Sequence, residues 1–191
     1  EMSETGALTL RSSLADSGTL ELNGALEVEH VTTAQGTFIY VAGNADSGIS
    51  VFRLGATGGL TPVADVFDDA NTPLSNVRDL EVYTSNGQTF LAASAQSDDT
   101  LTIFSVGVDG GLTVAQTING GTSTIDNVTG DAFDGIESIQ TIEIAGQTFL
   151  AVTSVFNNSV SLLQVDPQTG PINGTANNDI LLGTDHDDEM D

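Results

Sequence analysis

One pattern constrains this chain more than any other: the same run of residues occurs three times. The first copy reads Gly36-Thr37-Phe38-Ile39-Tyr40-Val41-Ala42-Gly43, then a polar turn, then Ile49-Ser50-Val51-Phe52-Arg53-Leu54 and Gly58-Gly59-Leu60-Thr61. The second reads Gly87-Gln88-Thr89-Phe90-Leu91-Ala92-Ala93-Ser94, Leu101-Thr102-Ile103-Phe104-Ser105-Val106 and Gly110-Gly111-Leu112-Thr113. The third reads Gly146-Gln147-Thr148-Phe149-Leu150-Ala151-Val152-Thr153, Val160-Ser161-Leu162-Leu163-Gln164-Val165 and Thr169-Gly170-Pro171-Ile172. The leading glycines lie 51 and 59 residues apart. A period near 40 to 60 residues in β-rich sequence points to the blades of a propeller or a related array.

Each repeat divides into four strands. The first precedes the Gly-x-Thr-Phe corner, at Leu26 to Val31, Val77 to Tyr83 and Ile136 to Ile144, where apolar and polar residues roughly alternate. The second is the nearly continuous apolar run after the corner, as expected where neighbours cover both sheet faces. The third is Ile49 to Leu54 and its equivalents; the fourth is Leu60 to Val66 and Leu112 to Ile118. Asn44 to Gly48, Gln96 to Asp99 and Asn157 to Ser159 join strands two and three, with residues that tolerate left-handed backbone or cap a turn. Gly58-Gly59 and Gly110-Gly111 supply hairpin turns between strands three and four. No helical periodicity appears. The expected class is all-β: a partial propeller of about three four-stranded blades.

The N-terminal Gly6-Ala7-Leu8-Thr9-Leu10 matches Gly59-Leu60-Thr61 and Gly111-Leu112-Thr113 better than any first strand. It reads as the fourth strand of a preceding blade. Three blades alone leave two sheet faces uncovered. Either sequence ahead of residue 1 completes the ring, or two copies associate through open blade edges; the first is the preferred expectation. Residues 1–172 are read as blades from a larger ring.

Composition closes off other classes. Twenty-seven acidic residues against 3 arginines and no lysine give a net charge of −24, so a basic nucleic-acid surface is excluded. Without cysteine there is no disulfide or thiolate-metal scaffold. No apolar run is long enough to span a bilayer as a helix.

Tyr40-Val41-Ala42-Gly43-Asn44, Ile49-Ser50-Val51-Phe52 and Gly58-Gly59-Leu60-Thr61 resemble the blade of lactonase-type, YVTN-like β-propellers. The likeness covers roughly residues 6 to 172. The Gly-x-Thr-Phe corners also resemble propeller arrays in large secreted bacterial proteins that end in hemolysin-type (RTX) repeats. The blade is specific for architecture and weak for activity, because enzymes and binding modules share it.

The tail carries two nine-residue units in register, Gly174 to Leu182 and Gly183 to Asp191. They resemble the RTX nonapeptide Gly-Gly-x-Gly-x-Asp-x-apolar-x, and residues 173–191 are read as the start of a calcium-binding parallel β-roll. The resemblance implies Ca2+ as the cofactor, held by carboxylates and turn carbonyls of Gly174, Ala176, Asn178, Asp179, Gly183, Asp185, Asp187 and Asp188. Leu181 and Met190 fall at the inward apolar position. Thr175 and Thr184 replace the second glycine, Asn177 and His186 the third. Two units make only about one coil, so the site is incomplete by itself. Such a tail also implies a secreted bacterial protein exported by a type I system.

Other residues carry less. Alternation puts His30 with Leu26 and Val28, opposite Glu27 and Glu29, which reads as a structural histidine. Arg11, Arg53 and Arg78 are expected to pair with nearby carboxylates, Arg78 for example with Asp79; the lesser alternative for Arg53 is a channel-facing site for an anionic ligand. Asp68-Asp69 with Asn71 is a candidate calcium loop, read in preference as a solvated connection. No Ser-His-Asp set, zinc spacing, P-loop or nucleotide fingerprint is present, so no catalytic residue is assigned.

The leading expectation is therefore an extracellular, calcium-binding RTX-type segment whose propeller is a non-catalytic binding or spacer module for an unidentified ligand. The alternative is a lactonase-type hydrolase acting on a sugar lactone or small ester. First strands that offer Glu27, Glu29, His30, Asp79, Glu81, Glu137 and Glu143 are acidic and poor in His, which weighs against lactone chemistry.

Overall fold

The computed structural model describes residues 6–120 and 132–165. Eleven strands are described, in three antiparallel sheets. The first sheet holds β1 (Ala25–Thr33), β2 (Gly36–Gly43), β3 (Gly48–Leu54) and β4 (Leu60–Phe67) in sequence order. The second holds β5 (Val77–Ser85), β6 (Gln88–Ala95), β7 (Thr100–Val106) and β8 (Leu112–Asn119). The third holds β9 (Ile136–Ile144), β10 (Gln147–Ser154) and β11 (Ser159–Gln164). The first two are the expected four-stranded blades and the third shows three strands among the described residues; Gly6–Leu10, expected as the fourth strand of a preceding blade, belongs to none of the described strands, and no helix occurs among the described residues. The nonapeptide units, with all eight expected calcium ligands and the β-roll itself, lie outside the described residues, as does the Thr169–Ile172 corner.

The register repeats from blade to blade. The inner strands break step at one place, between Ala25 and Glu27, between Val77 and Asp79, and between Ile136 and Ser138 opposite Ser154 and Thr153. Leu26, Arg78 and Glu137 are thus the extra residues of three equivalent bulges. A bulge re-aims one side chain without disturbing the rest of the ladder. The third strands break step between Val51 and Phe52 and between Ile103 and Phe104.

The core lies in the seams between sheets. One cluster joins Val31, Phe38, Tyr40, Ile49 and Val51 of the first blade to Leu74, Val77, Leu80, Leu91 and Phe104 of the second. The other joins Leu101 and Ile103 of the second blade to Phe133, Ile136, Ile139, Leu150 and Val152 of the third. Each such side chain contributes roughly 1.5–3 kcal/mol when fully buried. Burial in the seams explains why the second strands are apolar on both faces.

Turn residues fasten one blade to the next. Asp46 and Asp98 accept N–H bonds from Asn23 (2.8 Å) and Ser75 (3.0 Å), at the approach to their own inner strands. Their neighbours reach onward: Ser47 Oγ accepts from Asn76 N–H of the second blade (3.1 Å), and Asp99 Oδ1 from Gly135 N–H of the third (2.8 Å). Ser47, Asp99 and Asn158 all have left-handed backbone, φ 60°, 51° and 54°. The Asp-Ser and Asp-Asp pairs expected merely to form turns therefore also tie two successive blades together.

Candidate functional site: a polar belt on the inner strands

Strand β5 packs against both β1 and β9, so the three inner strands lie side by side. Where they begin, polar side chains from all three blades join. Asn44, just after β2, donates through Nδ2 to Asn76 Oδ1 and to the Val77 carbonyl (3.1 Å). Asn76 Nδ2 donates to Gln96 Oε1 at 2.7 Å, and Gln96 Nε2 to Glu137 Oε2 at 2.6 Å. Arg78 closes the belt, its Nε donating to Glu137 Oε2 at 3.1 Å and its Nη2 to Glu137 Oε1. Both side chains keep about a third of their surface open to solvent, 29% and 31%.

Arg78 and Glu137 pair because they occupy equivalent bulges on adjacent inner strands. This corrects the expected partner of Arg78. Asp79 is engaged elsewhere: its Oδ2 accepts from Ile139 N–H (2.6 Å) and Ser138 Oγ (3.0 Å), its Oδ1 from Leu80 N–H (2.9 Å). Glu81 likewise accepts from Thr141 N–H at 2.7 Å and Gln140 Nε2 at 3.2 Å. Acidic side chains of the second inner strand thus satisfy the edge N–H groups of the third. The first inner strand has Glu27 and Glu29 in the same places. Burial pushes Glu29 and Asp79 above the usual carboxylate range, and repulsion from Glu81 and Glu27 respectively adds to it.

The remaining candidates separate. Arg53 lies on β3, away from the inner strands; its Nη2 donates to the Gln35 carbonyl at 2.6 Å and its side chain lies over Gly36. It is not channel-facing. Asp68 and Asp69 act as turn caps, accepting from Leu74 N–H (2.7 Å) and from Asn71 and Thr72 N–H (both 2.8 Å). His30 lies on the exposed face of β1 with Leu26 and Val28. Among the described residues no cluster of three metal-ligating side chains occurs, and no helix is long and apolar enough to cross a membrane.

Sequence reasoning found the pieces and missed the assembly. By sequence Asn44 and Gln96 read only as turn residues, Asn76 carries no signal, and Arg78 reads as an ion-pair partner rather than a site residue. A signal existed: Arg78 and Glu137 are 59 residues apart, the offset of their own repeats.

The comparisons fit this architecture. The solved structures that the chain matches include a candidate 6-phosphogluconolactonase from Bacteroides fragilis NCTC 9343 (20% identity, TM-score 0.50) and another from Bacteroides uniformis ATCC 8492 (20% identity, TM-score 0.55). The matches cover 75% and 77% of this chain but only 36% and 38% of those chains, so it spans well under half the length of either. At this identity the likeness speaks for the fold. No curated protein matches the sequence. A family model described as "Lactonase, 7-bladed beta-propeller" matches residues 29–124. With just over half of its 191 residues matched, and with blades, seams and inner strands in the arrangement described, the chain belongs to the lactonase family of β-propellers.

Proposed function

We propose that this chain is part of a lactonase-type propeller hydrolase, and that its polar belt holds a neutral sugar lactone or similar small ester. The observation that carries the reading is the Arg78–Glu137 pair on adjacent inner strands, fixed by Gln96. The alternative reading of the sequence is thus preferred to a purely non-catalytic spacer. Glu137 engages two of the five guanidinium N–H groups of Arg78, which leaves donors for a carbonyl oxygen. In the proposed reaction, water adds to the lactone carbonyl carbon and gives its proton to Glu137. Arg78 stabilises the oxyanion. The carbonyl then re-forms, the ring C–O bond breaks, and the ring oxygen takes the proton from Glu137 to leave as a hydroxyl, which restores the carboxylate. Amide groups of Asn44, Asn76 and Gln96 suit the ring hydroxyls of a polyol.

The charge of −24, with no lysine, favours an uncharged substrate over a phosphorylated one. The experiment is hydrolysis of glucono-δ-lactone by the full chain. Activity above the buffer rate that falls at least tenfold in both Arg78→Met and Glu137→Gln supports the assignment. Full activity in both variants refutes it.

The nonapeptide register favours one further element of the reading. Asp179 and Asp188 recur at the same place of two successive units, and the donor set is all oxygen, as a hard cation requires. We infer that residues 174–191 supply ligands to a Ca2+ site of a secreted protein, completed by a further coil of the roll. Calorimetric titration with calcium of this chain extended by further nonapeptide units in the same register tests this, with heat expected and reduced in Asp179→Ala/Asp188→Ala. A titration of the extended, unsubstituted chain without heat would reject it.

A further inference from the structure

The turn between β10 and β11 brings one more side chain to the polar belt. Val155 N–H donates to the Gly135 carbonyl at 3.0 Å, and Phe156 N–H to the Asp134 carbonyl at 3.2 Å. The same two bonds join Gln96 and Ser97 to Asn76 and Ser75 in the second blade, and Asn44 and Ala45 to Gly24 and Asn23 in the first. Gly24, Asn76 and Gly135 are thus one position of the repeat, and each has left-handed backbone, φ 70°, 58° and 67°. Phe156 is the equivalent of Ala45 and Ser97.

What fills the space beside that position changes from blade to blade. In the second blade the Asn76 side chain bridges Asn44 of the preceding blade and Gln96 of its own. In the third blade the Phe156 ring takes the space: a Cβ on Gly135 would lie 2.5 Å from Phe156 Cδ2 and 2.7 Å from its Cγ. Asn76 shows that this backbone accepts a side chain, so Gly135 serves the ring as well as the turn. By the same repeat the ring lies between Gln96 of the preceding blade and Val155 of its own, and Gln96 is the residue that holds Glu137. Phe156 does not belong to the core, since it is 66% exposed. Ala45 and Ser97 are exposed as well, each with the following blade in place, so the exposure belongs to this position of the repeat. A phenyl group left in water forgoes the roughly 1.5–3 kcal/mol that its burial would contribute.

We infer that Phe156 is a specificity-determining platform on which the C–H face of the sugar-lactone ring stacks. The inference rests on the belt being a lactone site, and it adds which face of the substrate is read and by which residue. A sugar lactone has a polar rim of hydroxyls and a flat face of C–H groups. The electron-rich face of a phenyl ring attracts such C–H groups. Amides of Asn76 and Gln96 take the rim, the Phe156 ring takes the face, and the carbonyl is left to Arg78 and Glu137. A site of this composition, one apolar wall beside a few placed polar groups, orients a small ring in a single way.

Glucono-δ-lactam is the probe, because its ring amide replaces the ester and it binds without being hydrolysed. Calorimetric titration of the full chain is expected to give saturable heat. Phe156→Leu keeps an apolar side chain but has no flat face, and should weaken binding by about three- to tenfold. Phe156→Trp should bind at least as tightly as the unsubstituted chain. The chain has no tryptophan of its own, so the emission of the introduced indole should change as the lactam saturates. With glucono-δ-lactone as substrate, Phe156→Leu should raise KM more than it lowers kcat. Lactam binding with these effects, but without hydrolysis of the lactone, supports the platform and overturns the hydrolytic reading alone. No lactam binding by the unsubstituted chain, equal affinity in Phe156→Leu, or an unchanged indole emission would overturn the platform, whether or not the lactone is hydrolysed.

Discussion

The Arg78 guanidinium and the Glu137 carboxylate meet across the seam between the second and third blades, each leaving its own inner strand at the equivalent bulge. In the first blade the same bulge carries Leu26, half-exposed. The belt is thus a variation on a repeated backbone, made by placing opposite charges where the repeat brings equivalent residues close. A double-mutant cycle with Arg78→Met and Glu137→Gln should give a coupling of about 1 kcal/mol, since the pair is bidentate but a third exposed. Urea melts of the four proteins measure it. A coupling of zero would make the pair incidental to stability.

The glycine turns of the second blade differ in what surrounds them: Gly87 joins β5 to β6 and Gly110 joins β7 to β8. A Cβ on Gly110 would run into the ring of Phe38 in the preceding blade, where Tyr40 Oη also donates to the Gly110 carbonyl at 3.0 Å. A Cβ on Gly87 would meet nothing within 4 Å, though its φ of +77° is equally left-handed. Gly87→Ala should therefore cost only about 1 kcal/mol of backbone strain. Gly110→Ala should cost that plus a repacked seam, about 2–4 kcal/mol in all. Equal losses in chemical denaturation would show that the seam does not press on this turn.

The blade-to-blade fastening makes a separate prediction. Asp99→Ala removes the acceptor of Gly135 N–H and a side chain suited to left-handed backbone. A loss of about 1–3 kcal/mol is expected. Asp99→Asn retains an acceptor oxygen and a residue at ease with positive φ, so it should lose less than half as much. Hydrogen exchange at Gly135 reads the bond directly: faster exchange in the alanine variant and near-native exchange in the asparagine variant.

Architecture was legible because it rests on local signals. Two-residue alternation, glycine corners and Asp/Asn/Ser turns fix strand identity within a few residues, and strand limits shifted by no more than two positions between expectation and structure. The belt was less legible because hydrogen bonds between Asn76, Gln96 and Glu137 depend on how blades stack. That depends in turn on the bulges, which the sequence does not mark with a glycine or proline. Arg78 was assigned to its sequence neighbour Asp79. Asp79 is taken up by Ile139 N–H and Ser138 Oγ of the next inner strand, and it is the residue at the equivalent bulge one repeat away that lies within reach of Arg78. Counting the repeat offset, rather than proximity in sequence, would have found the pair.

Acidity gives the last prediction. Burial is the first cause of the raised carboxyl groups of Glu21, Glu29, Asp79 and Asp98, and neighbouring carboxylates add to it in each case. A carboxyl whose folded pKa is raised binds its proton more tightly in the folded chain than in the unfolded one. Its penalty is in full force above the folded value, and it is relieved as pH falls through that value towards the ordinary 4.5 of Glu or 3.8 of Asp. The melting temperature should therefore rise as pH is lowered from 7 to about 5. Overall repulsion at a charge of −24 acts in the same direction, but salt screens it. A rise that persists in 1 M NaCl isolates the buried groups, and Glu29→Gln should make it smaller. A melting temperature that falls steadily from pH 7 to 5 in high salt would mean that the hydrogen bonds accepted by these carboxylates outweigh their burial.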